Sequence, residues 1–207
     1  MQEVVITGPR QVALRNLDDA PMTPVSIRVR SLLSGISHGT EMSFYQGTAP
    51  QFEREIDDGL FRERREGTTF YPVQHGYEMV GEVIEVGSRV QGFEVGDIAW
   101  TGTAGHPDTF VCDTTVDGRP FFCERAPDGA ELEAGVFLAL SGVAYDGHLT
   151  SRLRFGESAV ISGLGVIGLM GVQLCRHAGI RPLVAVDPIA ARRDLAIALG
   201  ADHAIDP

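Results

Sequence analysis

The hydrophobic pattern of the chain changes period once, near Glu133. Before it, apolar residues fall in short β-type runs: EVVIT (3–7), QVALRNL (11–17), VSIRVRSLL (25–33), YEMVGEVIEV (77–86), DIAWTG (97–102) and TFVCDTT (109–115). Gly-Pro, Pro, Gly-Ser or Gly-Asp clusters separate them, the spacing of a compact β-rich domain over residues 1–133. Residues 48–69 break the pattern with dense mixed charge around a few apolar anchors. They read as a solvated helix and loop or, since long insertions in compact domains are often functional, as a mobile cover over a cleft.

After Glu133, AGVFLALSGVAYDGHL (134–149) predicts a buried helix. A strand at SAVISG (158–163), a helix from Val166 to His177 closed by Gly179, a strand at RPLVAVD (181–187), a helix from Ile189 to Leu199 closed by Gly200 and a strand at HAID (203–206) follow. This βαβαβ order over residues 134–207 predicts the first half of a doubly wound parallel sheet with right-handed crossovers. Glycine stands where each helix end needs a left-handed residue. The fold class is therefore α/β, a β-rich domain followed by a partial parallel sheet.

Ser158 to Cys175 is uncharged over about the length of a membrane span. Gly163, Gly165, Gly168 and Gly171 interrupt it, so it reads as strand, tight turn and buried helix, with no membrane partner. The chain has 17 Lys plus Arg against 28 Asp plus Glu, a formal charge of −11, which argues against nucleic acid, a partner that selects clustered positive charge. With 43% hydrophobic and 22% charged residues it falls among globular rather than disordered chains. Three scattered cysteines, Cys112, Cys123 and Cys175, supply neither a disulfide framework nor a cysteine-rich zinc lobe. No secretory signal opens the chain, and a reducing cytoplasm is the expected compartment.

Gly163-Leu164-Gly165-Val166-Ile167-Gly168 lies between a strand and a helix. The first glycine permits a tight turn, the second lets backbone approach a pyrophosphate, and the third allows close packing, while the helix N-terminus offers free N–H groups to phosphate. Asp187 ends the next strand nineteen positions past Gly168, near the spacing of a carboxylate that receives ribose hydroxyls. These residues predict a dinucleotide site; the plainer reading is a packing turn with Asp187 capping the next helix. Asp187 favours NAD, because its charge repels a 2′-phosphate. Arg192 and Arg193 keep NADP open, since a guanidinium could hold that phosphate.

GISHGTE (35–41), HGYEMVGEVIEVGSRVQGFEVGD (75–97), SGLGVIG (162–168) and VDPIAARRDLAIALGADHAID (186–206) together resemble the medium-chain dehydrogenase/reductase superfamily across nearly the whole chain. GIS-x-GTE is similar to its bacteriochlorophyllide dehydrogenase-type branch. The resemblance implies a GroES-like domain, a Rossmann domain, substrate bound between them and a homo-oligomer, dimer or tetramer, in the full-length form. Zinc-dependent members take ligands from motifs like GICGTD and GHE. Matching those motifs sets His38 at the cysteine, Thr40 at the hydroxyl that relays the substrate proton, Glu41 at the following acid, Tyr77 at the histidine and Glu78 at its neighbour. Ala139 falls near the second cysteine's place, and the structural zinc lobe is missing.

At most one ordinary zinc ligand survives, so the expected chemistry is zinc-free hydride transfer between a nicotinamide and an alcohol/carbonyl pair or an activated alkene of a small-molecule substrate. Thr40, His38 and Tyr77 are the candidates for contacting the substrate oxygen, as a relay hydroxyl, an imidazole and a phenol. Two alternatives stay open. His38 with Glu41 and His75 with Glu78 form H-x-x-E pairs that could make an unusual zinc set, though residues three apart in extended chain point to opposite faces. The other alternative is a non-catalytic dinucleotide-binding protein. Since the chain stops at Asp206-Pro207, partway through the implied Rossmann sheet, it is expected to be part of a longer polypeptide or to need a partner.

Overall fold

A computed structural model describes residues 1–57, 60–63, 70–102, 105–116, 119–120 and 123–207. It divides into two units, Met1–Leu138 and Ala139–Pro207. In the first, β1 (Gln2–Gly8) and β2 (Gln11–Asn16) form an antiparallel hairpin. Next come β3 (Ser26–Ser34), helix α1 (Thr40–Gln46), a 3₁₀ turn (Pro50–Phe52) and the hairpin of β4 (Arg54–Asp57) and β5 (Leu60–Glu63). β6 (Met79–Val86), β7 (Ile98–Thr101), β8 (Thr109–Asp113), β9 (Thr115–Val116), β10 (Arg119–Pro120), β11 (Cys123–Arg125) and α2 (Leu132–Gly135) complete it.

The main sheet is antiparallel, in the order β11-β7-β6-β3-β8. Alternate residues of its strands turn to one face, so Ile27 and Val29, Met79 and Val83, Phe110 and Cys112 join Ala99 and Cys123 in one buried core. Gly81 lets β6 approach β3: a Cβ there would lie 2.5 Å from the Arg30 carbonyl oxygen.

Residues 48–69 depart from expectation. Their described part is the 3₁₀ turn and the β4–β5 hairpin rather than a helix, and the remainder of the proposed cover lies outside the described residues. The anchor is aromatic. Phe52 packs edge-on against Phe44 and Phe70, at 5.7 and 5.0 Å between ring centres, so a tertiary contact outweighs the helical preference of the charged residues.

The second unit begins within α3 (Leu138–Ser151) and continues through β12 (Ala159–Ser162), α4 (Val166–His177), β13 (Leu183–Val186), α5 (Ala190–Ala198) and β14 (His203–Ile205). The three strands are parallel, in sequential order. Gly179 and Gly200, at φ +75° and +115°, follow the ends of α4 and α5. Leu164, Val172, Cys175, Ile180, Leu183, Ala185, Ala196 and Ala201 form this unit's own core.

The sequence expectation for residues 134–149 needs correction. They break into α2 and α3, and within α3 Val143, Tyr145 and Leu149 are exposed while only Ala144 is buried. Burial requires a partner surface, and the sheet of this unit is packed by α4 and α5. No helix of the described residues is long and apolar enough to cross a membrane.

Candidate functional site

The glycine motif occupies the turn from β12 into α4. Gly163 sits at φ +88°, a conformation that a side chain would strain, and its N–H donates to the Val186 carbonyl, tying the turn to β13. Gly168 is required sterically, because a Cβ on it would overlap the Gly163 carbonyl oxygen. Gly165 differs: a Cβ there would meet nothing within 4 Å. Gly165 is the N-cap of α4 and supplies no side-chain cap, while the following Val166 and Ile167 are 41% and 44% exposed. The helix thus presents an open N-terminus behind a bare backbone, the form that suits a phosphate group.

Asp187 lies just past the end of β13, 3% exposed. Its Oδ2 accepts from the Leu164 N–H and its Oδ1 from the Ile189 N–H, both at 2.8 Å. These two bonds, in that order, hold the carboxyl below the ordinary range against the opposing effect of burial, with Arg192 assisting. Asp187 therefore braces both the glycine turn and the entry to α5, so its structural role is built in, while each oxygen keeps a second lone pair for another donor. Arg192 approaches Oδ2 at 3.6 Å and is 43% exposed on its side chain. Arg193 is committed inward, donating to the Asp187 carbonyl at 2.7 Å and pairing with Asp206 at 2.9 Å.

In the first unit a second polar group gathers at α1. Glu41, in the first turn of α1, is 4% exposed; its Oε2 accepts from the Ser37 N–H at 2.7 Å and its Oε1 meets His106 Nε2 at 2.5 Å. His106 Nδ1 reaches Ser34 Oγ at 2.9 Å, so one tautomer of the ring satisfies both partners. Gly76 and Gly105 make this arrangement fit. Gly105 N–H donates to the Gly76 carbonyl, and a Cβ on Gly76 would crowd His106 Nε2 at 2.8 Å. The Tyr77 hydroxyl donates to Ser37 Oγ at 2.5 Å.

His75 stacks beside Phe44 at 4.8 Å, and its Nδ1 is buried with no partner among the described residues. Burial lowers its proton affinity, opposed by Glu41 and reinforced by His106. Glu78, also 4% exposed, is shifted upward by burial first and by Glu41 second, against His106. A cavity of about 200 Å³ opens beside this group, with Val4, Ile36 and Met42 on its apolar side and Glu41, His75 and His106 as its polar wall.

The structure thus brings Tyr77, Ser37, Glu41 and His106 into one connected network. It leaves His38 and Thr40 exposed at the start of α1. His38 and Glu41 diverge, one exposed before α1 and the other buried in its first turn. Sequence reasoning missed His106, Ser34 and Ser37. The one local signal for His106 was a histidine between Gly105 and Pro107, which does not specify a partner 65 residues away.

Zinc does not fit the donors described. Among the described residues no group of three or more His, Cys, Asp or Glu is arranged to hold a metal ion. Tyr77 stands where the resemblance implies a histidine ligand, and the three cysteines are buried in the two cores. A dinucleotide fits better. Gly163, Gly165 and the α4 N-terminus would hold its pyrophosphate, and Asp187 stands beside that turn.

The sequence pattern of the family described as Alcohol dehydrogenase GroES-like domain matches residues 26–162, and the chain belongs to that family. D-guloside 3-dehydrogenase of Escherichia coli strain K12 is 29% identical over 213 residues, an alignment covering 100% of this chain and 60% of that protein. An alcohol dehydrogenase of Escherichia coli CFT073, solved with NADH, superposes with a TM-score of 0.77 at 18% identity, over 100% of this chain and 62% of its own. The Helicobacter pylori protein CAD, solved with NADP(H), gives 0.73 at 16% identity over 98% and 63%. The chain therefore spans about three fifths of the length of these relatives.

Proposed function

We propose that this chain is the GroES-like domain and the cofactor-binding start of an NAD(H)-dependent oxidoreductase that moves a hydride between the nicotinamide and an alcohol/carbonyl pair or an activated alkene. The observation that carries the reading is the open corner at Gly165, where a backbone without Cβ meets an uncapped helix N-terminus beside a buried carboxylate. The relatives named as dehydrogenases, and the two of like fold solved with NADH or NADP(H), support it. Leu164 and Asp187 fix the turn, Gly163, Gly165 and Gly168 shape it, and the N–H groups of Val166 and Ile167 lie at the helix start to receive phosphate.

The nicotinamide supplies the hydride chemistry when bound, and the chain's residues orient groups and hold protons. Tyr77 and Ser37 form a two-hydroxyl path along which a proton can pass from the phenol, and Glu41 pins Ser37 through its backbone N–H. Thr40 and His38 are solvent-facing groups available to a substrate oxygen. The site residues proposed for substrate are therefore Tyr77, Thr40 and His38, with Glu41 and His106 positioning. Asp187 favours NAD over NADP by charge, and Arg192 is the group that would moderate the preference.

The test is Gly165→Val. Its side chain would project into open space, so the variant folds with unchanged thermal stability, while binding of NADH, followed by nicotinamide fluorescence, weakens by at least about tenfold, or roughly 1.4 kcal/mol. Equal NADH binding by parent and variant would overturn the cofactor assignment.

A further inference from the structure

The cavity beside Glu41 is bounded by residues of the first unit, and Tyr77, Thr40 and His38 do not line it. One side is the β1–β2 hairpin. Val4 and Ile6 are alternate residues of β1, and Ile6 faces Val12 across the hairpin, so the three share one face. Opposite them stand Ile36, ahead of α1, and Met42 and Tyr45, three positions apart on α1 and therefore neighbours on its surface. Part of this apolar wall meets water, since Val12 is 58% and Ile36 69% exposed. The polar end is smaller. Glu41 and His106 bond each other there, and each Glu41 oxygen keeps a second accepting lone pair. His75 has no such bond: its Nδ1 is buried without a partner, and neither ring nitrogen is hydrogen-bonded among the described residues. Ring contacts with Phe44 and Tyr77, at 4.8 and 6.0 Å between centres, hold it in place.

We propose that this cavity binds a small uncharged phenol or alcohol, its hydrocarbon between the hairpin and α1 and its hydroxyl at His75 and Glu41. The site lies outside the residues assigned to substrate and needs no nucleotide, so it goes beyond the oxidoreductase reading and does not depend on it. Size sets the first limit. At about 200 Å³ the cavity somewhat exceeds the roughly 150 Å³ that accommodates benzene, which admits one ring, or a chain of similar bulk, with one or two substituents. The walls select hydrocarbon for most of that volume. At the polar end a neutral imidazole offers one donor and one acceptor while the carboxylate only accepts, and a hydroxyl, which donates and accepts, answers both. Charge excludes anions: Glu41 lines the cavity and no lysine or arginine does, so a carboxylate or phosphate would be buried beside a like charge without a counter-ion.

The experiment titrates the unmodified chain, isotopically labelled at its methionine methyls and free of nucleotide, with p-cresol, toluene, p-toluate and benzylamine, and follows binding by nuclear magnetic resonance. The expected result is a saturable shift of the Met42 methyl by p-cresol, with through-space contacts from the ligand to Met42 and Ile6. Its Kd should lie at least about tenfold below those of the other three, since toluene lacks the hydroxyl, p-toluate is an anion and benzylamine cannot accept a hydrogen bond when protonated. In His75→Phe, which keeps a ring against Phe44 and removes both nitrogens, the preference for p-cresol over toluene shrinks to less than about threefold. The proposal is overturned if p-cresol causes no saturable shift at Met42, or if toluene binds as tightly. Tighter binding of p-toluate or benzylamine would overturn the ligand class, and contacts to Met79 or Met170 in place of Met42 would overturn the site. All of these readings come from the unmodified chain and hold whether or not the phenylalanine variant folds.

Discussion

His75 and Glu78 are three positions apart and titrate in opposite senses. Burial lowers the His75 value, so the unfolded chain binds that proton more tightly, and the stability linked to His75 is lost as pH falls from the ordinary 6.5 through the folded value. His75→Phe, which keeps the ring against Phe44, is expected to flatten the acid limb of a urea-denaturation series below pH 6.5. Glu78 is raised, so the folded chain holds its proton more tightly and stability declines as pH rises from the ordinary 4.5 through the folded value. Glu78→Gln removes the buried carboxylate, and the variant should be more stable than the parent at pH 7, the advantage vanishing toward pH 4. An equal pH dependence in parent and variant would contradict either assignment. Residue types at these positions were visible in the sequence, as one of its two H-x-x-E pairs, but their behaviour was not. His75 and Glu78 are perturbed first by burial and then by Glu41 and His106, all of which come from folding rather than from the local chain.

At the scale of elements, strand–turn–helix units were the most legible part of the chain. The helix from Val166 to His177, its closing glycine and the neighbouring strands occur as read, because periodicity, glycine placement and helix caps act over a few residues. The same unit shows where motif reading is too coarse. The third glycine was expected to allow helix–strand contact; its nearer constraint is the carbonyl of the first glycine. Gly168→Ala is accordingly expected to destabilise the second unit by about 3 kcal/mol, the upper end for overpacking, measured by urea denaturation. Gly165→Val, three positions earlier, should leave that midpoint unchanged, and similar losses in both variants would refute the distinction. The described part of residues 48–69 and residues 134–149 were misread for a related reason. Charge density suggested helix in the first and apolar content suggested burial in the second, whereas Phe52 found an aromatic cluster and α3 kept Val143, Tyr145 and Leu149 exposed.

At the scale of the whole molecule, each unit carries its own core, one built on an antiparallel sheet and one on a parallel sheet with two helices. Ile27→Ala and Leu183→Ala, both at fully buried positions, are each expected to cost roughly 2–5 kcal/mol. Hydrogen exchange checks this through lost protection of β3 and β6 amides in the first variant and of β12 and β13 amides in the second. Unchanged protection would show that these residues are not core. The two-part organisation could be read from the change of hydrophobic period, since alternating strands and helical stripes advertise different packing partners. So could the glycine corner, because a strand, a turn and a helix adjacent in the chain are adjacent in space. What folding alone decided are the meetings across long stretches of chain: Glu41 with His106, 65 residues apart, and Tyr77 with Ser37, 40 apart. Sheet order brings those pairs together, and sheet order depends on the competition of all strands for partners, which no local pattern encodes.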